Sequence, residues 1–302
     1  MTSQVGFRRK PIFTAVVLTC LCSLSLAAPR HADGDAPVAA ISKARPLIWE
    51  NPGNISARDL YYGPGGKEHA PHTTFTFLKE DLQGSNPKFD VQDQDGTKWK
   101  VKLGGEAKPE VVAARFVWAV GYFANEDYFL PFLHVEQMPH LKRGQHQVKD
   151  GTVHDVRLKR SEKAEKKIGE WKWNDNPFSN QRELNGLRVM MALLNNWDLK
   201  DVNNAVYEEK SKDEDSADLH YLVSDLGATF GTAGRSVGEG VSKGNLKSYR
   251  HSKFISKVTP EYVDFNVPGR PASLYLLTST GEYMNRTHMR WIGKHIPRSD
   301  AR

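Results

Sequence analysis

Thr73 to Leu78 (TTFTFL) sets β-branched or aromatic residues in alternation, the period-two pattern of a strand with one buried face. Lys88–Val91 repeats it briefly. Trp99–Leu103 (WKVKL) repeats it again after Asp95-Gly96, a strong hairpin signal. Gly104-Gly105 then interrupts the chain. Pro109 suits a first helical turn, and from there Val111, Val112, Arg115, Phe116 and Val120 recur at helical spacing until Gly121 closes the segment. Tyr128 to Val135 (YFLPFLHV) is apolar and aromatic and predicts one further strand or two. The first half therefore reads strand, strand, strand, helix, strand.

The pattern then thins. His140 to Lys167 is polar and basic around one strand, Val153–Leu158, and its doublets Lys142-Arg143, Lys159-Arg160 and Lys166-Lys167 read as a solvated face. Asn176-Pro177 opens the longest predicted helix, whose buried side carries Leu184, Leu187, Val189, Met190, Leu193 and Leu194. Asn195–Asn204 is a polar loop. Ala205–Tyr207 and His220–Val223 are short strands on either side of an acidic insert, Glu208–Asp218. After Gly234 the chain is rich in Gly and Ser, with no strong period until Tyr283.

The start of the chain changes the picture of where the protein works. Arg8, Arg9 and Lys10 precede an apolar run, Pro11–Leu26, and Ser25-Leu26-Ala27-Ala28 offers small residues to a peptidase. This is the layout of a secretory signal with cleavage after Ala27 or Ala28, and the run is short for an uncleaved membrane anchor. Export to a periplasm or the medium, or into a eukaryotic secretory pathway, follows. Cys20 and Cys22, the only cysteines, lie inside the signal, so the mature chain forms no disulfide and relies on its core. Losing Arg8, Arg9 and Lys10 lowers the net charge from +6 to +3, too mild and too mixed for a nucleic-acid partner. No later stretch is long and apolar enough to span a bilayer. Pro29–His72, with its Gly63-Pro64-Gly65-Gly66 turn, reads as a linker and N-terminal extension.

Three stretches concentrate chemistry. Asn196-Trp197-Asp198-Leu199-Lys200-Asp201-Val202-Asn203 follows the long predicted helix. Tyr221-Leu222-Val223-Ser224-Asp225-Leu226-Gly227 delivers an aspartate from a short apolar strand. Gly84-Ser85-Asn86-Pro87-Lys88 joins the first two strands, and Lys102 lies inside the third. Other arrangements are weaker: His134, Glu136 and His140 lack a spacing that converges on zinc, and no Gly-x-Ser-x-Gly elbow occurs. Taken singly, Asp198 and Asn203 are also ordinary turn residues.

In their order and element types, over residues 73–230, these stretches resemble the protein-kinase-like superfamily and, distantly, its HipA-like kinases. Asn196 stands where the superfamily usually has a histidine, and Leu226 where it has a phenylalanine. After the signal over 1–28 and the extension over 29–72, the resemblance implies an α+β, two-lobed kinase-like fold with a small antiparallel-sheet lobe over 73–138 and a mainly helical large lobe over 139–302. It implies ATP or another nucleoside triphosphate with Mg2+ or Mn2+. In those roles Asp198 orients the attacking hydroxyl and Lys200 balances charge on the moving phosphoryl group. Asn203 and Asp225 hold the metal through oxygen. Gly84, Ser85, Asn86 and Lys88 form the phosphate-side turn. Lys102 contacts phosphate oxygens, with Lys100 as its rival on the same strand face. Glu110 holds that lysine, with Glu106 as second candidate. The implied function is phosphoryl (or nucleotidyl) transfer to an unknown hydroxyl acceptor, a protein, sugar or lipid headgroup. The alternative is an exported pseudokinase serving as a binding or scaffold module. Only 75 residues follow Gly227, few for a full helical lobe.

Overall fold

Alternation in the sequence becomes a ring of strands. The computed structural model describes residues 44–84, 86–161, 166–210, 217–231, 242–267 and 289–301, so the signal segment lies outside the described residues. Strand β1 (Ala44–Leu47) comes first. Then follow β2 (Phe75–Asp81), β3 (Lys88–Asp93), β4 (Lys98–Lys102), helix α1 (Ala107–Ala119), β5 (Asp127–Glu136), β6 (Val148–Lys149) and β7 (Thr152–Arg160). β2, β3 and β4 form an antiparallel meander. β4 also pairs antiparallel with β7, β7 with β5, and β5 parallel with β2, which closes a five-stranded barrel with β6 attached to β7. Phe75, Phe89, Val91, Trp99, Val101, Leu133, Val156 and Leu158 fill its interior. Each such side chain contributes about 1.5–3 kcal/mol by leaving water.

Period two then decides the outside of the barrel. Phe89, Val101 and Leu158 point in, so Lys88, Lys102 and Arg157 point out, and the register sets Lys88 opposite Lys102 and Lys102 opposite Arg157. Helix α1 packs across β5 and β7. Gly121, just beyond it, has φ +99°, and a Cβ there would lie 2.2 Å from the Glu50 carbonyl, so only glycine allows the chain to pass.

The second half contains β8 (Lys166–Gly169), α2 (Arg182–Leu193), β9 (Asn204–Lys210), β10 (Ala217–Val223), the single-turn α3 (Leu246–Tyr249), β11 (Ile255–Val258), β12 (Tyr262–Phe265) and β13 (Ile296–Pro297). One sheet has the order β1-β10-β9-β8 and another β11-β12-β13. β1 pairs parallel to β10, so residues 44–47 of the expected linker are built into a sheet. Ile48 next to it is buried with Leu187, Met191, Leu219, Tyr221 and Val263, and the inner side of α1 (Ala113, Ala114, Val117) joins the same core.

The expected two-lobed fold with a mainly helical large lobe is therefore corrected. Beyond residue 139 the described residues hold one three-turn helix, one single turn and eight strands or short strand segments, β6 to β13. The strands of the expected small antiparallel-sheet lobe, 73–138, instead close into a barrel with β7, which lies beyond it, and include a parallel β2–β5 pair. The physical reason is visible in the chain. Past α2, apolar residues recur at period two (Leu219, Tyr221 and Val223 all buried) and no stretch sustains the helical period. Pro177 does not start α2 either. Asn176 caps a turn instead, its Oδ1 accepting from Phe178 N at 2.9 Å, and Asn180 at φ +67° precedes the helix.

Candidate functional site

β4, β7, the first turns of α1 and the segment after β10 bring together residues far apart in sequence. β4 ends at Lys102, which is 5% exposed. Its Nζ lies 2.8 Å from Glu110 Oε2, 2.9 Å from Glu106 Oε2 and 3.3 Å from Asp225 Oδ1. Glu106 is the N-cap of α1 and Glu110 lies one turn further, so both carboxylates occupy the positive end of the helix and face the same strand. Arg157 on β7 donates from Nη2 to Glu110 Oε1 at 3.2 Å. Lys243 Nζ donates to Glu106 Oε1, as Asn86 Nδ2 does to Glu106 Oε2.

The rival lysine is elsewhere. Lys100 Nζ donates to Asp81 Oδ2 at 2.9 Å, and Lys88 Nζ lies 3.5 Å from the same oxygen. Of the expected phosphate-side turn, Asn86 reaches the cluster through Glu106. Gly84 accepts from Arg143 Nη1 at 2.9 Å, Lys88 is held by Asp81, and Ser85 lies outside the described residues.

The segment 196–203 is tied to Asp225 through Asn203. The Asn203 carbonyl accepts from Ser224 N at 2.8 Å and Asp225 N at 3.2 Å, while its Nδ2 donates to the Asp198 carbonyl at 2.6 Å. Asn196, fully buried, accepts from Asp198 N through Oδ1 at 3.0 Å and so fixes the bend before that aspartate. Lys200 Nζ lies 3.5 Å from Asp198 Oδ2. Lys159 Nζ and Asn125 Nδ2 meet Ser224 Oγ, each at 3.2 Å, and hold the residue before Asp225.

The charges act on one another strongly because water is largely excluded. Burial alone would lower Lys102, but Glu110, Asp225 and Glu106 outweigh it and hold the ammonium charged. Burial would raise Asp225; Lys102, the Gly227 N–H and Arg157 bring it down to about 2. Glu106 is lowered: burial opposes ionisation, and Lys102 and Lys243 overcome it. Burial pushes Glu110 up, with Arg157 and Lys102 opposing the rise.

Glu106, Glu110 and Asp225 bring carboxylate oxygens within 4.8 Å of one another, a spacing suited to a cation. The Lys102 ammonium already contacts all three. The oxygens left for a hard metal are others. Among the described residues, Asp225 Oδ2 and Asn203 Oδ1 take part in no hydrogen bond or ion pair, and the Asp225 side chain is 43% exposed. Both are oxygen donors of the kind magnesium and manganese prefer, so the residues fit such an ion. No family model, no curated protein and no solved structure matches the chain.

A groove of about 790 Å³ opens beside the cluster along α1, walled by Pro109, Val112, Phe116, Leu246 and Tyr249, with Lys243 at the end nearer Glu106. Sequence reasoning missed Lys243, Arg157 and Asp127. Lys243 lies in a Gly- and Ser-rich stretch without a period. Arg157 sits among basic residues that read as a solvated face. The long-range signal that finds Arg157 is register: once β4 is paired with β7, it is the neighbour of Lys102.

Proposed function

We propose that this protein binds a metal-bound nucleoside triphosphate and transfers its terminal phosphoryl group to a hydroxyl acceptor. The observation that carries this reading is Lys102, a buried ammonium pinned to Glu110 on a helix and reaching Asp225 on a separate segment at 3.3 Å. A fixed, dry cation beside a partly exposed carboxylate suits a polyanion accompanied by a metal.

In this reading Lys102 meets phosphate oxygens and Asp225 with Asn203 holds the metal, which when bound neutralises charge on the phosphates. Asp198 orients the acceptor hydroxyl and receives its proton as the new O–P bond forms. The bond from the terminal phosphorus to its bridging oxygen breaks, and that electron pair leaves with the nucleoside diphosphate. Lys200, near Asp198, balances the charge of the transferring group.

The test is transfer of label from the terminal phosphate of ATP, with Mg2+ or Mn2+, to water, to the protein and to panels of protein, sugar and lipid-headgroup hydroxyls. Label on an acceptor that disappears in D198N supports the reading. Binding without any transfer supports the alternative, an exported binding module. Absence of binding removes both.

A further inference from the structure

Arg157 belongs to none of the sequence motifs, yet it touches the centre of the site. Its side chain is 6% exposed. Nη2 binds Glu110 Oε1 at 3.2 Å, while the other Glu110 oxygen binds Lys102. Its Nε makes no hydrogen bond and lies 3.8 Å from Asp127 Oδ1, an ion-pair distance, and Asp127 is itself almost fully buried. We infer that Arg157 is a positioning residue, which locks Glu110 from behind and so fixes where Glu110 holds the Lys102 ammonium; its consequence for nucleotide rests on the transfer reading above.

The physical case is geometric. A carboxylate turns freely about its last torsion, a broad, roughly two-fold rotor. One cation on one oxygen leaves that rotation open; a cation on each oxygen closes it. Glu110 has the second arrangement. A guanidinium is a planar fork able to serve two carboxylates at once, whereas an ammonium is a compact point charge. Arg157 hydrogen-bonds Glu110 on α1 and is near Asp127 on β5 at ion-pair distance, two carboxylates on different elements that one guanidinium can attract together. The pairing of β4 with β7 that closes the barrel is also what sets Arg157 opposite Lys102. Barrel closure and site geometry are thus one feature.

The test uses the purified protein and R157K, which keeps the charge and loses the fork, with D127N as a second variant that removes the other anion near Arg157. The first readout is acetylation of individual lysines by acetic anhydride, followed by peptide mass spectrometry. Lys100, at the surface beside Asp81, is the internal control. Lys102 should acetylate about tenfold faster in R157K, the scale of losing one charge-assisted hydrogen bond, and less so in D127N, with Lys100 unchanged. An unchanged Lys102 rate in both folded variants overturns the inference. The second readout is binding of Mg-ATP to wild type, R157K, K102M and the double variant. If Arg157 acts through Lys102, R157K weakens binding about tenfold alone and adds nothing in the K102M background. Additive losses point to a purely structural role and overturn the inference. If wild type binds no Mg-ATP, the transfer reading falls, and the acetylation rates still decide the role of Arg157.

Discussion

Replacing Lys102 by methionine keeps the length of the side chain and removes the one cation shared by three carboxylates. Breaking a buried ion pair from one side costs about 3–5 kcal/mol because the partner charge stays behind. Here the loss falls at the lower end. Arg157 still binds Glu110 and Lys243 still binds Glu106, and Asp225, at 43% exposure, regains water. About 3 kcal/mol in the compact unit 37–302 lowers the melting temperature by about 6–12 °C. Scanning calorimetry at pH 8 and pH 5 gives the decisive contrast. Glu110 is already pushed up by burial and loses Lys102 as an opposing charge, so its folded-state value in K102M rises further above that of the unfolded chain. A carboxyl with a raised folded value destabilises fully above that value and is relieved by protonation as pH falls toward it. Asp225 and Glu106 lose the same lowering charge, so their values also move up in K102M and act in the same direction as Glu110. The gap between wild type and K102M should therefore be wide at pH 8 and narrower at pH 5. Equal melting temperatures, or a gap that widens at pH 5, refute the reasoning.

K100M should cost less than about 1 kcal/mol in urea unfolding, since Lys100 is 40% exposed and Asp81 keeps Lys88. D81N should destabilise by about 1–2 kcal/mol at pH 7: burial would raise the Asp81 carboxyl, but Lys100, the Gln83 N–H and Lys88 lower it from 3.8 to about 2. That contribution is present above about 3.8 and is lost as pH falls through 2, so wild type and D81N should converge in acid melts. G227A would place a Cβ 2.8 Å from Glu106 Cβ, and should cost about 1–3 kcal/mol while weakening the Glu106–Lys102 contact. Wild-type stability, or an unmoved Glu106 in a crystal structure of the variant, would show that the neighbouring chain yields freely.

Local pattern made the first half legible. TTFTFL, WKVKL and the Pro109–Gly121 segment carry their period in their own residues, and the structure has β2, β4 and α1 there. Pairing over long distances left no such mark. Nothing in Ala44-Arg45-Pro46-Leu47 alternates, and its place as a strand depends on β10, more than 170 residues away. The closing β4–β7 pairs are invisible for the same reason. The helical second half that the resemblance implies rests on three motifs that fix positions of a few side chains and say little about the elements between them. Lys102, Glu106, Glu110 and Asp225 meet because their short segments are each locally well defined. Arg157 and Lys243 could not be found without the register and the loop path that bring them there.

The central claim is a metal-dependent triphosphate site organised by Lys102 and Asp225, and titration calorimetry of Mg-ATP tests it most directly, with D198N and D225N measured beside wild type. The account predicts binding to wild type that requires the metal, nearly unchanged binding to D198N, and binding to D225N weakened about tenfold or more through loss of a charged metal ligand. No heat of binding to wild type with either Mg2+ or Mn2+, or equal binding by D225N, would contradict it.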